Sequence, residues 1–155
     1  MNTFITLSDE ELIDIYPNLI QELKKRGIIS TKNVAGGFGE YYAHQTYKNN
    51  ENLPDIELHS NNYPDVDAVC NETGKTYQIK SMSHNETGKF SNNQERFDFL
   101  IIVQFSDNYR RETMYELTWE EFLEYRTKKI VKGIDDGWVV RVTNMLKDKL
   151  KKVYP

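Results

Sequence analysis

Four residues between positions 64 and 80 (PDVDAVCNETGKTYQIK) have the types and spacing for phosphate chemistry: Asp65, Asp67, Gln78 and Lys80. Between the two pairs, Asn71-Glu72-Thr73-Gly74 is a hairpin signature flanked by strand-like runs at 65–70 and 75–81. A four-residue loop at 71–74 sets Cys70 opposite Lys75, Ala68 opposite Tyr77, Asp67 opposite Gln78 and Asp65 opposite Lys80. Side chains alternate across a strand, so Asp65, Asp67, Gln78 and Lys80 share one face. Val66, Ala68, Tyr77 and Ile79 share the other. Carboxylates and an amide oxygen are hard ligands suited to Mg²⁺, and Mn²⁺ can substitute. A lysine beside them can hold or deprotonate a water, or offset charge developing on a phosphate. This is a kit for phosphodiester hydrolysis. The plainer reading is a solvated hairpin face with a surface Asp65–Lys80 pair of little energetic weight.

Several elements must position that face. Residues 9–26 predict a helix capped by Ser8 with Glu11 completing a capping box. Leu12, Ile15, Tyr16, Leu19, Ile20 and Leu23 form its apolar stripe. Gly27 ends it, and Pro17 predicts a kink or break. A second helix follows the Gly36-Gly37-Phe38-Gly39 turn and runs to about Tyr47, carrying Glu40 and His44 on one face. The glycines lack a following lysine-threonine pair, so they are no phosphate loop and imply no nucleotide cofactor. The Asn-rich stretch 49–64 and the polar stretch 82–95 read as loops. Phe97–Phe105 is apolar enough for a central strand buried on both faces. Residues 112–118 predict another strand, and Thr118 with Glu121 caps a helix to about Lys129. Gly133–Gly137 reads as a turn, Trp138–Val142 as a short strand and Thr143–Val153 as a last helix. Asp98 reads as a backbone-bonding acid. Trp119 and Trp138 read as core anchors, and Cys70 as a buried thiol. Tyr41, Tyr42, Tyr47 and Tyr63 can stack on bases, although most of the ten tyrosines read as core.

The hairpin resembles the active-site hairpin of the PD-(D/E)XK nuclease superfamily, the restriction-endonuclease-like fold. In that pattern an acid starts one strand and an (E/D/Q)-x-K triplet lies on the next. Asp67 matches the acid, Gln78-Ile79-Lys80 the triplet, and Val66-Asp67-Ala68-Val69 resembles the corresponding string of Mrr-type nucleases, which also use Gln. The superfamily often adds a Glu from a preceding helix, a role that Glu40 in GFGEYYA fits. The resemblance covers roughly residues 8–128. It implies an α/β fold with a central mixed four- to five-stranded sheet flanked by helices. It also implies a Mg²⁺-dependent endonuclease acting on DNA, in restriction, defence or repair. In it Asp67, Gln78, Asp65 and Glu40 would serve as metal ligands and Lys80 as the water-positioning cation. Gln in place of an acid removes one negative charge, which leaves a catalytically silent DNA-binding or protein-interaction module of the same fold as the alternative. RNA is a possible substrate of the same chemistry.

Composition agrees with a globular chain. The 155 residues carry 28% charged and 38% hydrophobic side chains. They read as a single domain, 1–155, with a core over 8–128 and a basic C-terminal extension over 129–155. No run approaches the roughly 18 apolar residues of a membrane span, and the N-terminus has no secretion pattern, so a cytoplasmic protein is expected. A single cysteine excludes an internal disulfide or a cysteine metal site. The net charge is −4, but residues 126–155 hold nine of the 20 lysines and arginines and only three of the 24 acids. That asymmetry predicts one face approaching a polyanion. Ser81, His84, Lys89, Arg96, Lys128, Lys129 and Lys132 are the candidate nucleic-acid contacts. A duplex cutter with one site per chain needs two chains, so a homodimer is expected.

Overall fold

The structure, a computed structural model, describes residues 4–59 and 66–155. It divides into two compact units, Met1–Phe38 and Gly39–Pro155.

In the first unit, α1 spans Asp9–Lys25. The capping box forms as the sequence predicts: Ser8 N–H donates to the Glu11 carboxylate at 2.8 Å and Glu11 N–H to Ser8 Oγ at 3.3 Å. Asp9, Glu10 and Glu11 lie at the positive end of the helix and Lys24 and Lys25 at the negative end. Gly27 terminates it at a φ of +68°, which favours glycine. The expected break at Pro17 is absent, and the helix runs through it. Proline removes a single intrahelical donor, and at the same turn Asn18 Nδ2 adds a bond to the Asp14 carbonyl at 3.1 Å. No residue of α1 is fully buried, although Ile15, Ile20 and Leu23 of its apolar stripe are half-buried.

Helix α2, Val34–Lys48, starts before the predicted turn and contains all of Gly36, Gly37 and Gly39. Asn33 Oδ1 accepts from Gly36 N–H at 3.1 Å and so opens the helix. Its glycines serve close approach: a Cβ on Gly37 would stand 2.6 Å from Ile29 Cγ2.

In the second unit a six-stranded mixed sheet runs in the order β1-β2-β3-β4-β5-β8. The strands are β1 Glu57–Leu58, β2 Ala68–Val69, β3 Thr76–Met82, β4 Phe99–Phe105, β5 Arg111–Thr118 and β8 Lys151–Tyr154. Among the described residues only β3 and β4 pair in parallel. The expectation of a mixed α/β sheet flanked by helices is met, with six strands rather than four or five. Both faces of β4 are covered, as its continuous apolar run requires. On one face Tyr77 packs edge-on against Tyr47 of α2. On the other, Leu100, Ile102, Tyr115, Leu117 and Phe122 form a core cluster. Trp119 and Trp138 pack against that cluster, as anchors should. Helix α3, Trp119–Tyr125, carries the predicted Thr118–Glu121 capping box.

Beyond α3 the chain departs from its sequence pattern. The predicted helical tail to Lys129 is instead β6, Arg126–Val131, which pairs with β7, Ile134–Val140. Lys132 and Gly133 join them with φ of +51° and +79°, a tight hairpin turn whose twist suits the pair. The predicted helix over 143–153 shrinks to one turn, α4 Asn144–Lys147, capped by Thr143. The chain then enters β8 and closes the edge of β5, where Lys151 meets Glu116 at 2.5 Å. Pairing a sheet edge that would otherwise stay open outweighs the helical pattern. Residues 129–155 are thus built into the second unit.

Candidate active site

The hairpin register is the one its loop length dictates. Ala68 pairs with Tyr77 and Val69 with Thr76, and Cys70 N–H bonds Lys75 O at 2.9 Å. β2 ends abruptly at Ala68 on its N-terminal side. There Asp67 N–H still reaches Tyr77 O at 2.9 Å, one residue short of the regular ladder. Its carboxylate turns into the space the ladder vacates. It accepts Ile79 N–H at 2.6 Å and a short bond from Gln78 Nε2. Asp67 therefore lies just before β2, its carboxylate bonded to the backbone of β3, rather than standing on a face as simple alternation predicts.

β3 follows the alternation. Tyr77, Ile79 and Ser81 turn toward α2, where a Cβ on Gly39 would collide with Ser81 Oγ and stand 4.0 Å from Ile79 Cγ2. Gln78, Lys80 and Met82 take the opposite side. Gln78 is buried, and Lys80 Nζ lies 5.1 Å from the centre of the Phe90 ring. Phe90 was not singled out in the sequence, although one large apolar side chain inside the polar stretch 82–95 is the signal that marks it.

Glu40 comes from α2 one residue after Gly39. Burial pushes its carboxyl above the ordinary range, the Asp67 charge pushes it further, and Lys80 pulls it back. Burial likewise raises Asp67, against the lowering effects of the Ile79 N–H bond and of Lys80. Glu40, Asp67 and Lys80 thus sense one another's charge, and Gln78 is tied to Asp67. The structure brings four of the predicted residues together, Glu40 from α2, Asp67 from the residue before β2, and Gln78 and Lys80 from β3. Asp65 lies outside the described residues, as does Tyr63.

The donors in this group are two carboxylates and one amide oxygen. Gln78 Nε2 faces Asp67, so its oxygen is the atom left for a ligand. Among the described residues no three His, Cys, Asp or Glu side chains gather into one cluster. A hard-oxygen set of this size fits Mg²⁺, which keeps several waters and is held by one or two carboxylates.

The predicted nucleic-acid contacts are more dispersed. Lys89 pairs with Asp136 at 2.7 Å, Arg96 with Glu120 at 3.2 Å and Lys128 with Asp135 at 2.6 Å. Lys129 and Arg141 both pair with Glu86. His84 lies 3.6 Å from Asp107 on an exposed loop, Lys132 sits in the β6–β7 turn, and Ser81 packs near α2. Asp98 bonds backbone and side chain of Thr76 and pairs with Lys75, the structural role expected of it. Cys70 is fully buried. No helix among the described residues is long and apolar enough to cross a membrane. No protein-family model matches the chain, and no curated protein matches it either.

Proposed function

We propose that the unit 39–155 is a Mg²⁺-dependent phosphodiesterase of restriction-endonuclease-like fold whose substrate is DNA. One observation carries the reading: Glu40, Asp67, Gln78 and Lys80, the four residues of the motif, converge where the regular β2–β3 ladder stops. Glu40, Asp67 and the Gln78 oxygen would hold the metal. Bound there, Mg²⁺ would offset charge on the phosphate and make a water a better nucleophile. Asp67 is held in place by Ile79 N–H and Gln78, so it needs little reorganisation. The Lys80 ammonium, resting on the Phe90 ring, supplies a positive charge to a non-bridging phosphate oxygen and orients the water. The water oxygen bonds to phosphorus as the bond to the departing sugar oxygen breaks, and that oxygen leaves with a proton. A homodimer would place two such sites on the two strands of a duplex.

One observation favours a second reading, a silent module of the same fold. Gln78 stands where an acid would add charge, and its amide uses an Asp67 oxygen that a metal would otherwise share. The deciding experiment incubates the protein with plasmid, linear duplex, single-stranded DNA and RNA, with Mg²⁺, Mn²⁺ or EDTA. Metal-dependent cutting of DNA that Lys80→Ala abolishes is the expected result. Cutting that survives Lys80→Ala would overturn the site. Metal-dependent thermal stabilisation with no cutting of any substrate would establish the silent module.

A further inference from the structure

The second unit holds a cavity of about 670 Å³ between the C-terminal half of α2 and the facing ends of β5 and β8. Small-molecule sites commonly measure about 300–1,000 Å³. Its α2 wall is Tyr41, Tyr42, Gln45 and Thr46, on one side of the helix, with Asn49 just past the helix end continuing that side. Glu40, Ala43 and Tyr47 lie on the adjoining side, so one helix serves the candidate active site and this cavity with different faces.

Arg111 is the organising residue. Its guanidinium carbon lies 3.6 Å from the centre of the Tyr154 ring and 4.7 Å from that of Tyr42. Its Nη1 donates to Thr46 Oγ1 at 2.8 Å. The rings and the hydroxyl fix the plane of the fork, and a guanidinium has five donors. No carboxylate among the described residues forms an ion pair with it. A preoriented, partly buried arginine without an acid partner suits a planar or tetrahedral oxyanion. Around it, Gln45 and Asn49 supply amides that both donate and accept, as the edge of a nucleobase requires. Tyr41 and Tyr42 meet edge to face at 5.8 Å and present aromatic surface. Glu51 adds an acceptor for an exocyclic amino group.

We propose that this cavity is a ligand site for a nucleotide, with the phosphate against Arg111 and the base against the tyrosines and the amides of Gln45 and Asn49. The combination decides the class: an anion alone would not use the amides, and a neutral base would not use Arg111. The same chemistry can come from a free mononucleotide or from a nucleotide within a strand. The site stands whether or not the neighbouring group hydrolyses phosphodiesters.

Calorimetric titration of the full chain in EDTA tests it, because EDTA removes divalent metal from the candidate active site. The probes are the four deoxynucleoside 5′-monophosphates, the matching nucleosides, inorganic phosphate and a pentanucleotide of single-stranded DNA. At least one monophosphate should bind about tenfold more tightly than its nucleoside and than phosphate. Arg111→Met should weaken that binding about tenfold, and Asn49→Ala, at an exposed position, should weaken it without touching the arginine. A pentanucleotide that binds more tightly than the monophosphate identifies a strand as the source, and one that fails to compete identifies the free nucleotide. Absence of heat from every probe would overturn the proposal. So would phosphate binding as tightly as the monophosphates, or binding that neither Arg111→Met nor Asn49→Ala alters.

Discussion

Burial and the Asp67 charge hold the Glu40 carboxyl above the ordinary range, and burial does the same to Asp67. Both shifts have one sign, which fixes how stability follows pH. A carboxyl raised in the folded state binds protons more tightly folded than unfolded. The metal-free protein therefore loses stability as pH rises from the ordinary carboxylate range through the raised values, and the cost persists at neutral pH. Glu40→Gln removes one buried charge and relieves Asp67. In EDTA at neutral pH it should raise Tm by about 2 °C. On the proposed function, millimolar Mg²⁺ should raise the Tm of the parent chain, and the same variant should lose most of that gain, because a proposed ligand is gone. That gain in the parent should itself fade as pH falls into the raised carboxyl range. A variant less stable than the parent in EDTA would mean that Glu40 is a structural acid with a favourable partner. Scanning calorimetry at several pH values, with and without Mg²⁺, reads all three quantities.

At the scale of elements, the approach of α2 to β3 decides where Glu40 sits, and Gly39 permits it. A Cβ there would collide with Ser81 Oγ, whereas Ser81 Cβ would be 3.5 Å away, an ordinary contact. Gly39→Ala should therefore destabilise the protein by about 1–2 kcal/mol and reduce any cleavage through displacement of Glu40. Ser81→Ala in the same chain removes the colliding atom and should restore part of both. A double-mutant cycle by urea denaturation should show a coupling of about 1 kcal/mol, and additive effects would remove Gly39 from this role. The sequence made the hairpin, its register and the Glu40 helix legible, because loop length and strand alternation act locally. It also gave the capping boxes of α1 and α3, where a hydroxyl and an acid three residues apart suffice. It did not reveal that the Asp67 carboxylate replaces a ladder bond, because that depends on where β2 stops. Nor did it reveal β8. Residues 143–153 have a helical pattern, but β5 offers an edge, and Glu116 offers a buried partner for Lys151. The glycines of α2 looked like a turn because their function is close packing, of Gly37 on Ile29 and of Gly39 on Ser81, which no local spacing shows.

For the molecule as a whole, the charge asymmetry of the sequence meets a different fate from the one its composition suggests. If all nine cations of residues 126–155 reached phosphates, log K against log salt would fall with a slope of about −8 on duplex DNA. The fold spends several of them internally. Lys128 pairs with Asp135, Lys129 and Arg141 with Glu86, and Lys151 with Glu116. Arg126 lies over the Trp138 ring at 4.0 Å. The pairs of Lys128, Lys129 and Arg141 tie β6, β7 and the 82–95 segment together, Lys151 ties β8 to β5, and all of them lower the density of uncompensated positive charge. Glu86 is the centre of the arrangement, its carboxyl held below the ordinary range chiefly by its bond to Lys129. DNA affinity measured by fluorescence anisotropy between 50 and 200 mM salt should therefore have a slope of about −2 to −4. Glu86→Gln should release Lys129 and Arg141 and steepen the slope by about one to two, raising affinity at low salt. A parent slope near −8 would mean that DNA breaks these pairs on binding. A Glu86→Gln slope equal to the parent's would mean that the β6–β7 hairpin faces away from the nucleic acid, and the phosphate track would then have to be sought on Lys147, Lys149 and Lys152 beside α4 and β8.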